Sequence, residues 1–99
     1  MNIGGTWNLV IDSPMGKQQM SMELSQHDGD LSGVMVNQAN KMSTDIFDGR
    51  VAGDRLEWKA KLRTLNLTLS FATQIVDDTM SGKVKAGLFG NFEVAGTRG

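Results

Sequence analysis

Ninety-nine residues suffice for one domain, and ten basic against eleven acidic side chains leave a formal charge of −1. That balance offers no electrostatic case for nucleic acid or an anionic membrane as partner. The lack of cysteine excludes disulfides, thiol nucleophiles and thiolate metal sites. No apolar run approaches the roughly 18 residues of a membrane helix.

The opening MNIGGTWNLV has no basic segment followed by a long apolar run, so no signal peptide is expected and the location reads as cytoplasmic. A first strand is predicted over about 5–12, ended by Ser13-Pro14-Met15-Gly16, where proline fixes φ and glycine is free to take a positive one. Met20, Met22 and Leu24 then alternate with Gln19, Ser21 and Glu23, predicting a second strand over about 17–26. After the turn His27-Asp28-Gly29-Asp30 come strands over about 30–37 and 41–51, with Asp48-Gly49 either a turn or a bulge in the latter. Gly53-Asp54 leads into a strand over about 55–63, in which Leu56, Trp58, Ala60 and Leu62 face opposite to Arg55, Glu57, Lys59, Lys61 and Arg63. Leu65, Leu67, Leu69 and Phe71 repeat the alternation in a strand over about 65–75. Asp77-Asp78 turns the chain into strands over about 79–86 and 90–98.

Three segments share one shape: Asp28–Gly33, Gly53–Trp58 and Asp77–Gly82 each run from an acidic turn to an apolar residue, a polar one, then Gly or Trp. They recur about every 25 residues, one hairpin each. An antiparallel meander of eight strands removes its edges only by closing, so an all-β, eight-stranded up-and-down barrel is the predicted fold, with an open two-layer sandwich as the alternative. Such a barrel is wide enough to be filled by side chains or to hold one small ligand.

Alternation sends Leu9, Ile11, Met20, Met22, Leu24, Leu31, Met35, Met42, Ile46, Trp58, Leu62, Leu67, Leu69, Phe71, Met80, Val84, Phe92 and Val94 inward. Met20, Met22, Met35 and Met42 come from three successive strands and would form one wall. Met is flexible and polarizable and suits an irregular guest. Inward Gly33, Ala60 and Gly82 would leave room for one. The competing reading is that these side chains simply fill the barrel.

Chemistry-bearing motifs are scarce. His27 stands alone in a turn, with no second histidine or cysteine to share a metal. Asp28-Gly29-Asp30-Leu31-Ser32-Gly33 imitates the start of a calcium loop, but its twelfth position is Ala39 and its flanks read as strands. Gly87–Phe92 is a hairpin connection with an apolar tip, Leu88-Phe89, suited to gating a barrel mouth or to a subunit contact such as a homodimer. Asn66-Leu67-Thr68 is a glycosylation sequon left idle without a secretory signal. Glu57 and Glu93 face water by parity. Asp45 and Asp48 flank Phe47 near the expected bulge, where either could turn inward and have its pKa raised by burial. Asn37 and Thr44 are the other polar groups in reach of the lumen.

Gly5-Thr6-Trp7 in the first strand, with Arg98 in the last, resembles the signature of the calycin superfamily, which holds lipocalins, fatty-acid-binding proteins and avidins. The resemblance implies a barrel whose closed end is plugged by Trp7, with Arg98 packed across the indole, both in a structural role. The expected function is binding of one hydrophobic or amphiphilic small molecule, with Met20, Met22, Met35, Met42, Trp58, Leu69 and Phe71 as walls. No cofactor and no metal are expected. A second reading is a cofactor-free lyase, isomerase, cyclase or hydratase in the same cavity, with Asp45 or Asp48 as the acid–base group and Arg63 as its partner. A third is an accessory module with a solid barrel.

Overall fold

We describe the fold from a computed structural model covering residues 3–13, 16–62 and 66–99. Eight strands form one closed antiparallel barrel in sequence order: β1 (Gly5–Ser13), β2 (Gly16–His27), β3 (Asp30–Asn37), β4 (Ser43–Ala52), β5 (Arg55–Leu62), β6 (Leu67–Val76), β7 (Thr79–Lys85) and β8 (Asn91–Arg98). Every boundary lies within two residues of the sequence expectation. The reason is that period-two alternation and acidic or glycine turns agree along most of the chain. β8 returns to β1 with Trp7 opposite Arg98 and Ile11 opposite Val94, which removes both sheet edges. The sandwich alternative is thereby excluded.

The two ends of the barrel differ in construction. Three connections at one end, here the base, are two-residue loops: Asp28-Gly29, Gly53-Asp54 and Asp77-Asp78. In each the first loop residue is left-handed, with φ of 56°, 62° and 54°. Glycine and aspartate tolerate that region better than most residues, which is why these turns were legible. At the other end, the mouth, the described connections are longer. The β3–β4 segment is folded by Lys41 N–H to Asn37 C=O (2.8 Å) and Asn37 N–H to Met42 C=O (2.9 Å), with Lys41 at φ 59°. A single 3-10 turn, Gly87–Phe89, links β7 to β8.

Two irregularities meet in β4. Leu31 pairs with Gly49 but Val34 with Asp45, and Phe47 pairs with Lys59 but Arg50 with Glu57. Against both neighbours β4 carries one extra residue, a bulge at Asp48-Gly49 with Asp48 at φ 52°. The bulge inverts the alternation: Ile46 is buried on the near side and Gly49 on the far side.

The core is one cluster running the length of the barrel, from Ile3, Trp7, Leu56 and Met80 at the base to Ile11, Met20 and Ile46 nearer the mouth. Glycines do not leave the room that parity suggested. A Cβ on Gly33 would lie 1.9 Å from the Glu23 carbonyl oxygen, and one on Gly82 2.1 Å from that of Ala72. These glycines admit a neighbouring strand's backbone, as tightly bent sheets require. A Cβ on Gly96 would meet the Leu9 side chain at 2.3 Å, so that gap is filled as well.

Candidate functional site

At the base the apolar side chains are closed off. Trp7 has no exposed surface, and its indole N–H donates to the Ile3 carbonyl oxygen at 3.0 Å. The Arg98 guanidinium lies over the Trp7 ring, 4.8 Å from its centroid, a cation–π contact. Its Nη1 donates to the Gly4 carbonyl (3.4 Å) and its Nε lies 3.4 Å from Asp78 Oδ1. The backbone N–H of Gly99 donates to the Thr6 carbonyl at 3.0 Å, tying the last described residue to β1. Ile3 was not anticipated, because it precedes the first alternating run and only the fold brings its carbonyl to the indole.

Burial loosens toward the mouth. Leu67, Leu69 and Phe92 face inward by alternation and are only half-buried, and Ile11 and Met20 retain 8% and 9% of their surface. Polar Asn37 and Thr44 share this end, and the Thr44 hydroxyl donates to the Lys61 carbonyl at 3.2 Å. The Asn37 side-chain oxygen is occupied by the Ala39 N–H at 2.8 Å.

Six of the seven residues expected to line a cavity sit in or against the packed core. Met22 pairs with Trp7 and Met35, Met20 with Leu9 and Asn37, and Ala60 with Leu69. Trp58 and Phe71 stack in adjacent strands, with centroids 4.9 Å apart and planes 11° from parallel. Met20, Met22, Met35, Trp58 and Phe71 belong to the core cluster, and Leu69 packs against it. Met42 does not join them: it is 50% exposed. It belongs to the β3–β4 connection, whose left-handed Lys41 breaks the alternation before β4 begins at Ser43.

The acid–base candidates are not brought together in the lumen. Asp45 is exposed on the outer wall. Asp48, at the bulge, is exposed too and stands 3.9 Å from Lys59, a surface pair of little energetic weight. The bulge does re-aim a side chain, but its left-handed residue turns outward while Gly49 takes the inward place. Arg63 lies outside the described residues. A groove of about 690 Å³ is lined by Arg50, Glu57, Lys59, Lys83 and Lys85, which alternation places on the outer wall, and also by parts of Trp58, Phe71 and Ala72. Its mixed charge does not suit an apolar guest. No group of three or more His, Cys, Asp or Glu among the described residues is placed to hold a metal ion.

One feature of the middle layer was not legible in the sequence. Trp58 is 1% exposed, and its indole N–H has no hydrogen-bond partner among the described residues.

No protein-family model and no curated protein matches this sequence. Among solved structures, the barrel superposes on the crystal structure of a mutant of the fluorescent protein UnaG with a TM-score of 0.58, covering 97% of this chain and 94% of that one. Identity is 15%, so the likeness is one of fold. The chain has a calycin fold. Strand number, closure and order all match that architecture. No helix among the described residues is long and apolar enough to cross a membrane.

Proposed function

We infer that this calycin barrel binds one small hydrophobic or amphiphilic molecule, admitted at the mouth and received by the upper half of the lumen. The observation that carries this reading is the gradient of burial: inward apolar side chains are closed off at the base and half-exposed at Leu67, Leu69 and Phe92. An apolar guest seated there would remove that surface from water at about 25 cal/mol per Å². Met20, Met22, Met35, Leu69, Phe71 and Trp58 are the proposed walls, with Met42 on the rim. Met22, Met35, Trp58 and Phe71 are themselves exposed by 2% or less, so the guest gains depth by displacing side chains, and Met yields most readily. A cytoplasmic location, a homodimer formed through exposed Leu88 and Phe89, and the absence of nucleic acid among its partners accompany this reading.

Native mass spectrometry of the purified protein, with an organic extract of the same sample, tests it. The expected result is an added mass that leaves on denaturation, or uptake of apolar compounds offered to the apo protein. A clean apo mass with no uptake from a hydrophobic library would establish a solid-barrel module instead.

A further inference from the structure

We propose that the guest carries a neutral hydrogen-bond acceptor, a ketone, ester, amide or ether oxygen, at its buried end, and that the Trp58 indole N–H holds it. This rests on the binding reading above. Trp7 and Trp58 are buried to the same degree, at 0% and 1% exposure. Trp7 donates to Ile3, whereas Trp58 donates to nothing among the described residues. A buried donor without an acceptor is costly and rare, and native structures keep such groups chiefly where a ligand or an ordered water completes them.

Position favours a ligand. β5 climbs from Trp58 past Ala60 to its end at Leu62, so four residues at about 3.3 Å each, on strands tilted by about 40°, put the indole roughly 10 Å below the rim. The side chain next above it on the same face is the methyl of Ala60, and the partner of Ala60 is half-buried Leu69. A guest reaching Trp58 therefore passes buried Ala60, the smallest side chain of the strand, and half-buried Leu69. The parallel stack on Phe71 fixes the ring without using its N–H edge.

The charge of the acceptor follows from its surroundings. The one buried polar side chain among the described residues is Thr73, whose hydroxyl donates to the Leu56 carbonyl at 3.4 Å. Arg98 is engaged at the base with Trp7 and Asp78, and Lys59 and Lys61 are exposed on the outer wall. A carboxylate seated on one N–H with no cation beside it would remain largely uncompensated, whereas a carbonyl or ether oxygen asks for only one donor. An ionised head, in an amphiphilic guest, stays at the rim.

Two probes of nearly equal shape test this, 2-acetylnaphthalene and 2-isopropenylnaphthalene, in which a methylene carbon replaces the carbonyl oxygen. Affinities for both are measured on the wild-type protein and on Trp58→Phe, which keeps a ring against Phe71 and removes the N–H. The ratio of ketone to hydrocarbon affinity is expected to fall about five- to tenfold in the variant. Independently of any variant, the indole ¹H–¹⁵N resonance of Trp58 should move downfield with the ketone and not with the hydrocarbon, while that of Trp7 stays in place as internal reference. Binding of both probes with an unchanged ratio and a still Trp58 resonance overturns the inference and leaves the binding reading intact. A long-lived water beside the Trp58 N–H in both free and bound protein overturns it as well. Binding of neither probe removes the binding reading itself.

Discussion

Trp7 at the base and Trp58 at mid-height hold equally buried indoles in one continuous core, yet the chain has completed only the first. Around Trp7 the indole N–H donates to the Ile3 carbonyl, and the Arg98 guanidinium covers the ring with the Asp78 carboxylate 3.4 Å from its Nε. Around Trp58 there is a stacked ring and, among the described residues, no acceptor, and above it the apolar lining is half-buried. The turns follow the same division. Base turns are two residues long and acidic, whereas described mouth connections are longer and carry exposed Met42, Leu88 and Phe89. Local rules obeyed at one end and broken at the other are what a stable scaffold with a functional opening would show.

The comparison can be broken most forcefully at the base. Trp7→Ala is expected to cost about 3–5 kcal/mol, because it empties a fully buried site and orphans the Ile3 carbonyl. Urea unfolding followed by Trp58 fluorescence reads this directly. A loss below about 1 kcal/mol would mean the base is not the stability-bearing end. Gly82→Ala should follow at about 1–3 kcal/mol, since its methyl has backbone, not a flexible side chain, 2.1 Å away. If Gly82→Ala leaves the denaturation midpoint unchanged, the close approach of β6 and β7 is not what holds that glycine in place.

How far the sequence alone discloses this division depends on which interactions create it. Strand number, closure, the β4 bulge and most of the inward row, though not Met42, were legible because alternation and turn chemistry are local. The pairing of Trp7 with Arg98 was reachable only through resemblance, because 91 positions separate them and only closure makes them neighbours. Gly33 and Gly82 read as spare volume when sequence shows a missing side chain, yet a neighbouring strand occupies it. Asp48 shows the opposite limit. The bulge was expected, but its left-handed residue could have pointed either way, and only the backbone sends it outward. Trp58 leaves no trace at all, since an absent acceptor is a property of the whole surrounding shell.

At the mouth the ranking of stability and function should invert. Leu69→Ala removes a half-buried side chain, so a cost of about 1–2 kcal/mol is expected, well below that of Trp7→Ala. Apolar probe affinity should nonetheless fall about tenfold, the scale of the lost contact area. A variant that loses as much stability as Trp7→Ala while binding unchanged would place Leu69 in the scaffold. Arg98→Met, which keeps an apolar stem and deletes the charge, separates the ends from the other side. It should cost about 1 kcal/mol through the lost cation–π contact and leave probe binding alone.

The smallest stability effect belongs to the tip. Leu88 is fully exposed and Phe89 66% exposed, so the double change Leu88→Ser with Phe89→Ser removes almost no buried area and should shift unfolding by less than about 0.5 kcal/mol. Its consequence should be kinetic. The turn that carries these side chains borders the mouth: a Cβ on Gly87 would meet Leu67 Cδ1 at 3.2 Å, and Leu67 is one of the half-buried residues there. If the tip screens the opening, stopped-flow release of a bound apolar probe should quicken several-fold with little change in unfolding. If it serves as a contact between two copies, release is unaltered and sedimentation at rising concentration shows the wild type associating where the variant does not. A large loss of stability would mean that the tip packs against the barrel, and the contrast between a finished base and an open mouth would then need redrawing at β7 and β8.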